Sequence, residues 1–271
     1  MRTPLFTFAA LMLGTHLFAA DNQTEFASFI ELPWSYVIGG HAGGKWLTSE
    51  AAGKRLSAPA TTYQIYTLAG ETGEVTGAKA SPETDVCPDV WMQKLSNQIE
   101  AEVRRHAIGV HAPWNPMPRK GRAASLTQEV YVQAMKVVLN ERGVEHPKVK
   151  LTQLLRVDLD GDGTDEVLTA ATHYLPSEVP SSPLAGDYSV VTLRSLIGGK
   201  VETQLVNGEV YAKADQSAAP NTYEIAGLLD LDGDGTLEVL IRSNYYEGGG
   251  MTVWQMNKGR LVQVLSIECD A

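Results

Sequence analysis

Residues 155–168 read LRVDLDGDGTDEVL, and residues 227–240 read GLLDLDGDGTLEVL. Asp158 and Asp230 lie 72 residues apart, and so do Glu166 and Glu238. Within the shared eleven-residue core only Asp165 and Leu237 differ, an agreement that composition alone does not produce, so the two stretches mark an internal repeat. Counted from its first aspartate, each core carries carboxylates at positions 1, 3, 5 and 9. These are Asp158, Asp160, Asp162 and Glu166 in the first copy, and Asp230, Asp232, Asp234 and Glu238 in the second. Position 7 is Thr164 or Thr236, which offers a backbone carbonyl. Position 6 is Gly163 or Gly235, which permits the sharp turn that odd-numbered ligands need to curl round one ion.

So many carboxylates within nine residues repel one another unless a cation neutralises them. Hard oxygens on a flexible loop suit Ca²⁺, at roughly 2.3–2.6 Å, better than Mg²⁺, which keeps its waters. No imidazole or thiolate stands in either loop to recruit zinc. The expected cofactor is therefore Ca²⁺ at two sites, held by the four carboxylates and the threonine of each loop. A solvated acidic hairpin without metal is the other reading of the same residues. An EF-hand is excluded, because it needs a bidentate Glu at position 12, where Thr169 and Ile241 stand, and a helix after the loop. Here Glu166-Val167-Leu168-Thr169 and Glu238-Val239-Leu240-Ile241 continue as β-type sequence.

A strand, a DxDGDGxxD/E loop and a second strand together resemble the FG-GAP or VCBS-type repeat of integrin-like β-propellers and many exported bacterial proteins. The resemblance covers roughly the last 120 residues and is most specific across the loops. It implies calcium-ligand roles for the four shared carboxylates of each loop. Two features depart from the family pattern: Glu replaces the more usual Asp at position 9, and no Phe-Gly…Gly-Ala-Pro signature precedes either loop. A propeller commonly has four to eight blades, which this chain reaches at a 72-residue spacing only if its first half contributes degenerate ones.

Outward from the repeats, Ser125 to Arg142 reads as a helix, with Ser125 and Gln128 fitting a capping box, Val130, Ala134 and Val137 on one face, and Gly143 at the stop. Met92 to Arg105 also reads as helical, with Leu95, Ile99 and Val103 four apart. Ala112 to Arg122, with three prolines and several basic residues, reads as a loop or linker. Trp34 to Ile38, Lys45 to Thr48 and Thr62 to Tyr66 read as strands, with the Gly39–Gly44 stretch as a turn between the first two. The expected fold is α+β and predominantly β. It comprises an N-terminal mixed region over 21–122, a helical connector over 123–147, and two propeller-blade-like calcium-loop repeats over 148–271.

Residues 1–20 read as a leader: Arg2, then an almost unbroken apolar run from Leu5 to Ala20 too short to span a bilayer comfortably. An exported protein, secreted or periplasmic, is expected, with no stable membrane insertion after leader removal. Cys87 and Cys269 are the only cysteines, and an oxidising compartment permits a disulfide between them; two separate thiols are the alternative. The net charge of −10 argues against nucleic acid, which needs a basic face.

No G-x-S-x-G, H-E-x-x-H or S-x-x-K motif is present, and the histidines form no close ligand pair. Tyr245, Tyr246 and Trp254, with Glu247 and Gly248–Gly250, are candidates for a ligand site beside the second loop, although such a segment also serves as strand and packing. The expected function is that of a calcium-binding module, non-catalytic, with an extracellular protein or a glycan as partner. The competing class is an exported hydrolase acting on polysaccharide, phosphoester or peptide, in which calcium is structural.

Overall fold

The computed structural model describes residues 26–84, 86–96, 99–174 and 182–270. The leader at 1–20 lies outside them. Strands take 49% of the chain and helices 11%, so the protein is mostly β, built from antiparallel sheets of which none closes into a barrel.

The first sheet contains β1 (Phe26–Glu31), β2 (Tyr36–Ala42), β3 (Lys45–Leu47), β4 (Thr61–Thr67), β5 (Gly70–Gly77), β6 (Ser81–Pro82), β7 (Trp91–Met92) and β8 (Ile108–His111). Its order is β5-β4-β8-β1-β2-β7-β6, with β3 added to β2. The second sheet contains β9 (Arg122–Ala123), β10 (Leu151–Val157), β11 (Glu166–His173), β12 (Tyr188–Ile197) and β13 (Lys200–Val210), in the order β13-β12-β11-β10-β9. The third is the meander β14 (Thr222–Leu229), β15 (Glu238–Tyr245), β16 (Gly248–Asn257) and β17 (Arg260–Asp270). Each acidic loop thus joins the first two strands of a four-strand meander, β10 to β11 and β14 to β15.

Side-chain alternation stacks the sheets. On β15, Leu240 points into a core shared with Phe29, Ile38 and Val110 of the first sheet, whereas Val239 and Ile241 point into a core shared with Leu155, Leu168 and Val191 of the second. The third sheet is therefore the middle layer, which is why its strands read as continuous apolar runs rather than strict alternation. The outer face of the second sheet is covered by a helix. Met135 and Leu139 pack there with Leu154, Val167 and Val190.

Several expectations are corrected. The helix α3 (following α1, Ser49–Arg55, and α2, Ala101–His106) runs Glu129–Asn140 rather than from Ser125. Its N-cap is Gln128 without a side-chain cap bond, and the Ser125 hydroxyl is hydrogen-bonded to Thr127 instead. The face carrying Val130 and Val137 is exposed, and Met135, Val138 and Leu139 are buried, because tertiary packing selects the stripe. Gly143, at φ 84°, does end it, with its amide bonded to Asn140 O at 2.9 Å. Met92 to Arg105 is not one helix: Leu95 forms a β-bridge with Gly77, and among the described residues of this stretch the helix is confined to Ala101–His106. Leu95, Ile99 and Val103 still meet one core, that of Ile30, Leu32 and Tyr63.

Gly39 and Gly40 are not a turn but the middle of β2, where an added Cβ would come within 2.5 Å of Leu47 O or Ala27 O. Only Gly43 and Gly44 turn the chain into β3. Cys87 and Cys269 are disulfide-bonded with a Cα–Cα distance of 5.5 Å, tying the last strand to the segment between β6 and β7.

Candidate metal centres

The two loops fold alike to the level of individual hydrogen bonds. In the first, the Gly161 and Gly163 amides donate to Asp158 at 2.7 and 3.1 Å; in the second, the Gly233 and Gly235 amides donate to Asp230 at 2.7 and 3.0 Å. The amide after position 1 closes each loop on its glutamate: Leu159 N donates to Glu166 Oε2 at 2.9 Å, and Leu231 N to Glu238 Oε2 at 2.7 Å. Leu159 and Leu231 are fully buried, anchoring both loops to the layers beneath.

One oxygen each from Asp158, Asp160 and Glu166 lies within 4.8 Å of the others, and the same holds for Asp230, Asp232 and Glu238. Oxygens facing each other across a calcium ion at roughly 2.4 Å stand about 4.8 Å apart at most, so neither group is too wide for one such ion. The position 5 carboxylates do not join them. Asp162 and Asp234 are exposed and accept the Thr164 and Thr236 amides at 2.6 Å. The structure thus gathers positions 1, 3 and 9 of each expected ligand set.

Acidic groups also cluster on surfaces without an ion, so a buried atom is more telling. Glu238 is 0% exposed, and its Oε1 has no hydrogen-bond partner. Burial pushes its carboxyl up to about 9; the Leu231 amide opposes this, and Asp232, Asp234 and Asp230 add repulsion. Glu166 is raised to about 7, again by burial first, with Asp160 and Asp162 adding to it. Asp230 and Asp232 are raised as well, chiefly by burial. A carboxylate so placed takes either a proton or a cation, and a hard divalent cation fits this donor set.

The segment Ala112 to Arg122 is no free linker. The Trp114 indole N–H donates to Asp230 O at 2.9 Å, its ring lies against Gly233, and the Asp230 amide donates to Pro116 O at 2.7 Å. Arg119 donates from Nε to Asp158 O at 2.7 Å, and from Nη2 to Leu159 O at 2.9 Å and Gly235 O at 2.6 Å. The loops also meet directly, Leu237 N donating to Leu159 O at 2.8 Å. Gln255 adds a bond from Nε2 to Asp232 Oδ2 at 2.8 Å. Prolines and basic residues masked these roles in the sequence; a tryptophan and an arginine within a short proline-rich stretch were the available sign.

The three aromatic candidates do not form one site. Tyr245 and Tyr246 stack edge-on at 5.7 Å beside the β15–β16 turn, and Tyr246 is exposed. Trp254 pairs with Val239, six strand positions away, or about 20 Å, and packs with the core between the second and third sheets. Gly248, Gly249 and Gly250 lie within β16, where an added Cβ would strike backbone oxygens at 2.2–2.7 Å. A cavity of about 580 Å³ beside β9 and β10 is lined mainly by apolar groups, among them Leu68, Ala124, Leu126 and Leu154.

Comparison with known protein families, curated proteins and solved structures finds no match to this chain. Among the described residues no helix is long and apolar enough to cross a membrane.

Proposed function

We propose that this chain is an exported calcium-binding protein that acts as a non-catalytic binding or scaffolding module, with one ion in each acidic loop. The observation that carries the reading is Glu238 Oε1, buried without a partner and grouped with Asp230 and Asp232. Asp158, Asp160 and Glu166 would hold the first ion, and Asp230, Asp232 and Glu238 the second. Calcium would neutralise each cluster and fix the β-turn it closes. The matching meanders that carry the loops support an FG-GAP/VCBS-like reading, with each meander as a blade-like unit. The apolar leader and the Cys87–Cys269 bond support export. Exposed Tyr246 beside Tyr245 is the favoured contact for an extracellular protein or glycan.

The test is calorimetric titration and thermal unfolding of residues 21–271, first chelated and then with Ca²⁺ added. Two ions per chain are expected, with Asp160→Asn weakening chiefly the first site and Asp232→Asn chiefly the second. Stability should rise as RT ln(1 + [L]/Kd), about 2.7 kcal/mol at a hundredfold excess over Kd. No heat and no shift, with retained metal excluded by elemental analysis, would overturn the reading.

A further inference from the structure

We propose that Arg119 is a positioning residue that couples the two loops, so that calcium in one raises the affinity of the other. The inference rests on the calcium reading above. One guanidinium holds three backbone carbonyls, those of Asp158 and Leu159 in the first loop and Gly235 in the second. Leu159 O also accepts the Leu237 amide, so one carbonyl is shared by the Arg119 fork and the second loop. Asp158 is the first carboxylate of its loop, and Gly235 and Leu237 flank Thr236 in the other. A positive group beside two cation sites is electrostatically adverse. What the guanidinium supplies is its planar fork, which fixes several acceptors at set angles.

The same six-residue stretch grips the first aspartate of both loops at its carbonyl, Trp114 at Asp230 and Arg119 at Asp158. An ion that fixes Asp158 therefore fixes the acceptors of Arg119, and through Arg119 and Leu159 O the backbone of Gly235 and Leu237. Part of the ordering of the second loop is then complete before its own ion arrives. Ordering shared in this way gives positive coupling, and linkage makes it reciprocal.

Calcium titration of the chelated protein in 0.15 M salt, where repulsion between the ions is screened, tests this directly. The wild-type chain should bind two ions with a Hill coefficient above 1, the second site gaining about tenfold in affinity. Arg119→Gln, which loses the charge, and Arg119→Lys, which keeps it but loses the fork, should both bind two ions with a Hill coefficient no greater than 1. Two ions bound independently by the wild type would overturn the coupling and leave the calcium reading standing. Cooperativity unchanged in both variants would overturn the role of Arg119, and no calcium uptake at all would overturn both readings. If circular dichroism shows the Arg119 variants unfolded, Asp160→Asn and Asp232→Asn decide the matter. Each should leave the remaining site about tenfold weaker than in the wild type, and an unchanged affinity would overturn the coupling.

Discussion

The loop at 158–166 and the loop at 230–238 share eight of nine residues and the same internal hydrogen bonds, yet they sit in different electrostatic surroundings. The second belongs to the middle layer of the stack and the first to an outer sheet. Leu237 is accordingly fully buried, while its counterpart Asp165 turns outward to Arg122 at 2.5 Å and Arg156 at 3.4 Å. Trp114 and Gln255 close over the second loop, and Glu238 is raised further than Glu166. Local sequence sets the geometry of such a loop; the layer it is attached to sets how strongly its carboxylates need a counter-charge.

Exchanging the one differing residue should break the comparison most sharply. Leu237→Asp removes a fully buried leucine and places a carboxylate in an apolar core, at an expected cost of about 4 kcal/mol or more. Asp165→Leu loses only partly exposed ion pairs and should cost less than about 1 kcal/mol. Urea midpoints of the two variants measure the contrast, and equal losses would show that the layers do not distinguish the loops.

Acidity gives the next effect. In chelator the native chain holds protons on Glu166 and Glu238 that the unfolded chain has released above the ordinary value of 4.5. Stability from these groups is therefore greatest at low pH, and declines as pH rises through about 7 for Glu166 and about 9 for Glu238. Glu238→Gln should flatten the alkaline part of the decline and Glu166→Gln the neutral part, read from melting temperature against pH. Calcium, by favouring the ionised forms, should flatten both.

The smallest contrast lies at the glycines. At Gly161, φ 79°, a Cβ would lie 3.2 Å from an Arg119 guanidinium nitrogen, whereas at its counterpart Gly233, φ 81°, a Cβ would lie 3.0 Å from the Trp114 ring. Alanine at either should lose about 1–2 kcal/mol to left-handed backbone strain. Only Gly233→Ala should also shift tryptophan emission.

The loops and the strands that flank them were legible because their spacing is dictated locally: carboxylates at alternate positions, glycine at the turn, β-branched residues after it. The first sheet was not, since β8 pairs with both β1 and β4 across long stretches of chain and no local pattern specifies such partners. At α3 the visible stripe of Val130, Ala134 and Val137 misled because an amphipathic pattern names a helix more surely than it names the buried face. Arg119 was hidden for a related reason. Its partners are backbone carbonyls, which carry no mark in the sequence.

The bond between Cys87 and Cys269 has a topological consequence. It closes a ring across a sequence separation of 182, and both acidic loops, the segment that grips them and nearly all of the second and third sheets lie on that ring. In the chain-entropy account a ring of this size restricts the unfolded state by about 5 kcal/mol at 25 °C. A single proteolytic cut anywhere along it opens the ring without releasing a fragment, so a nicked molecule stays one covalent particle, with both loops on it, until a reductant arrives.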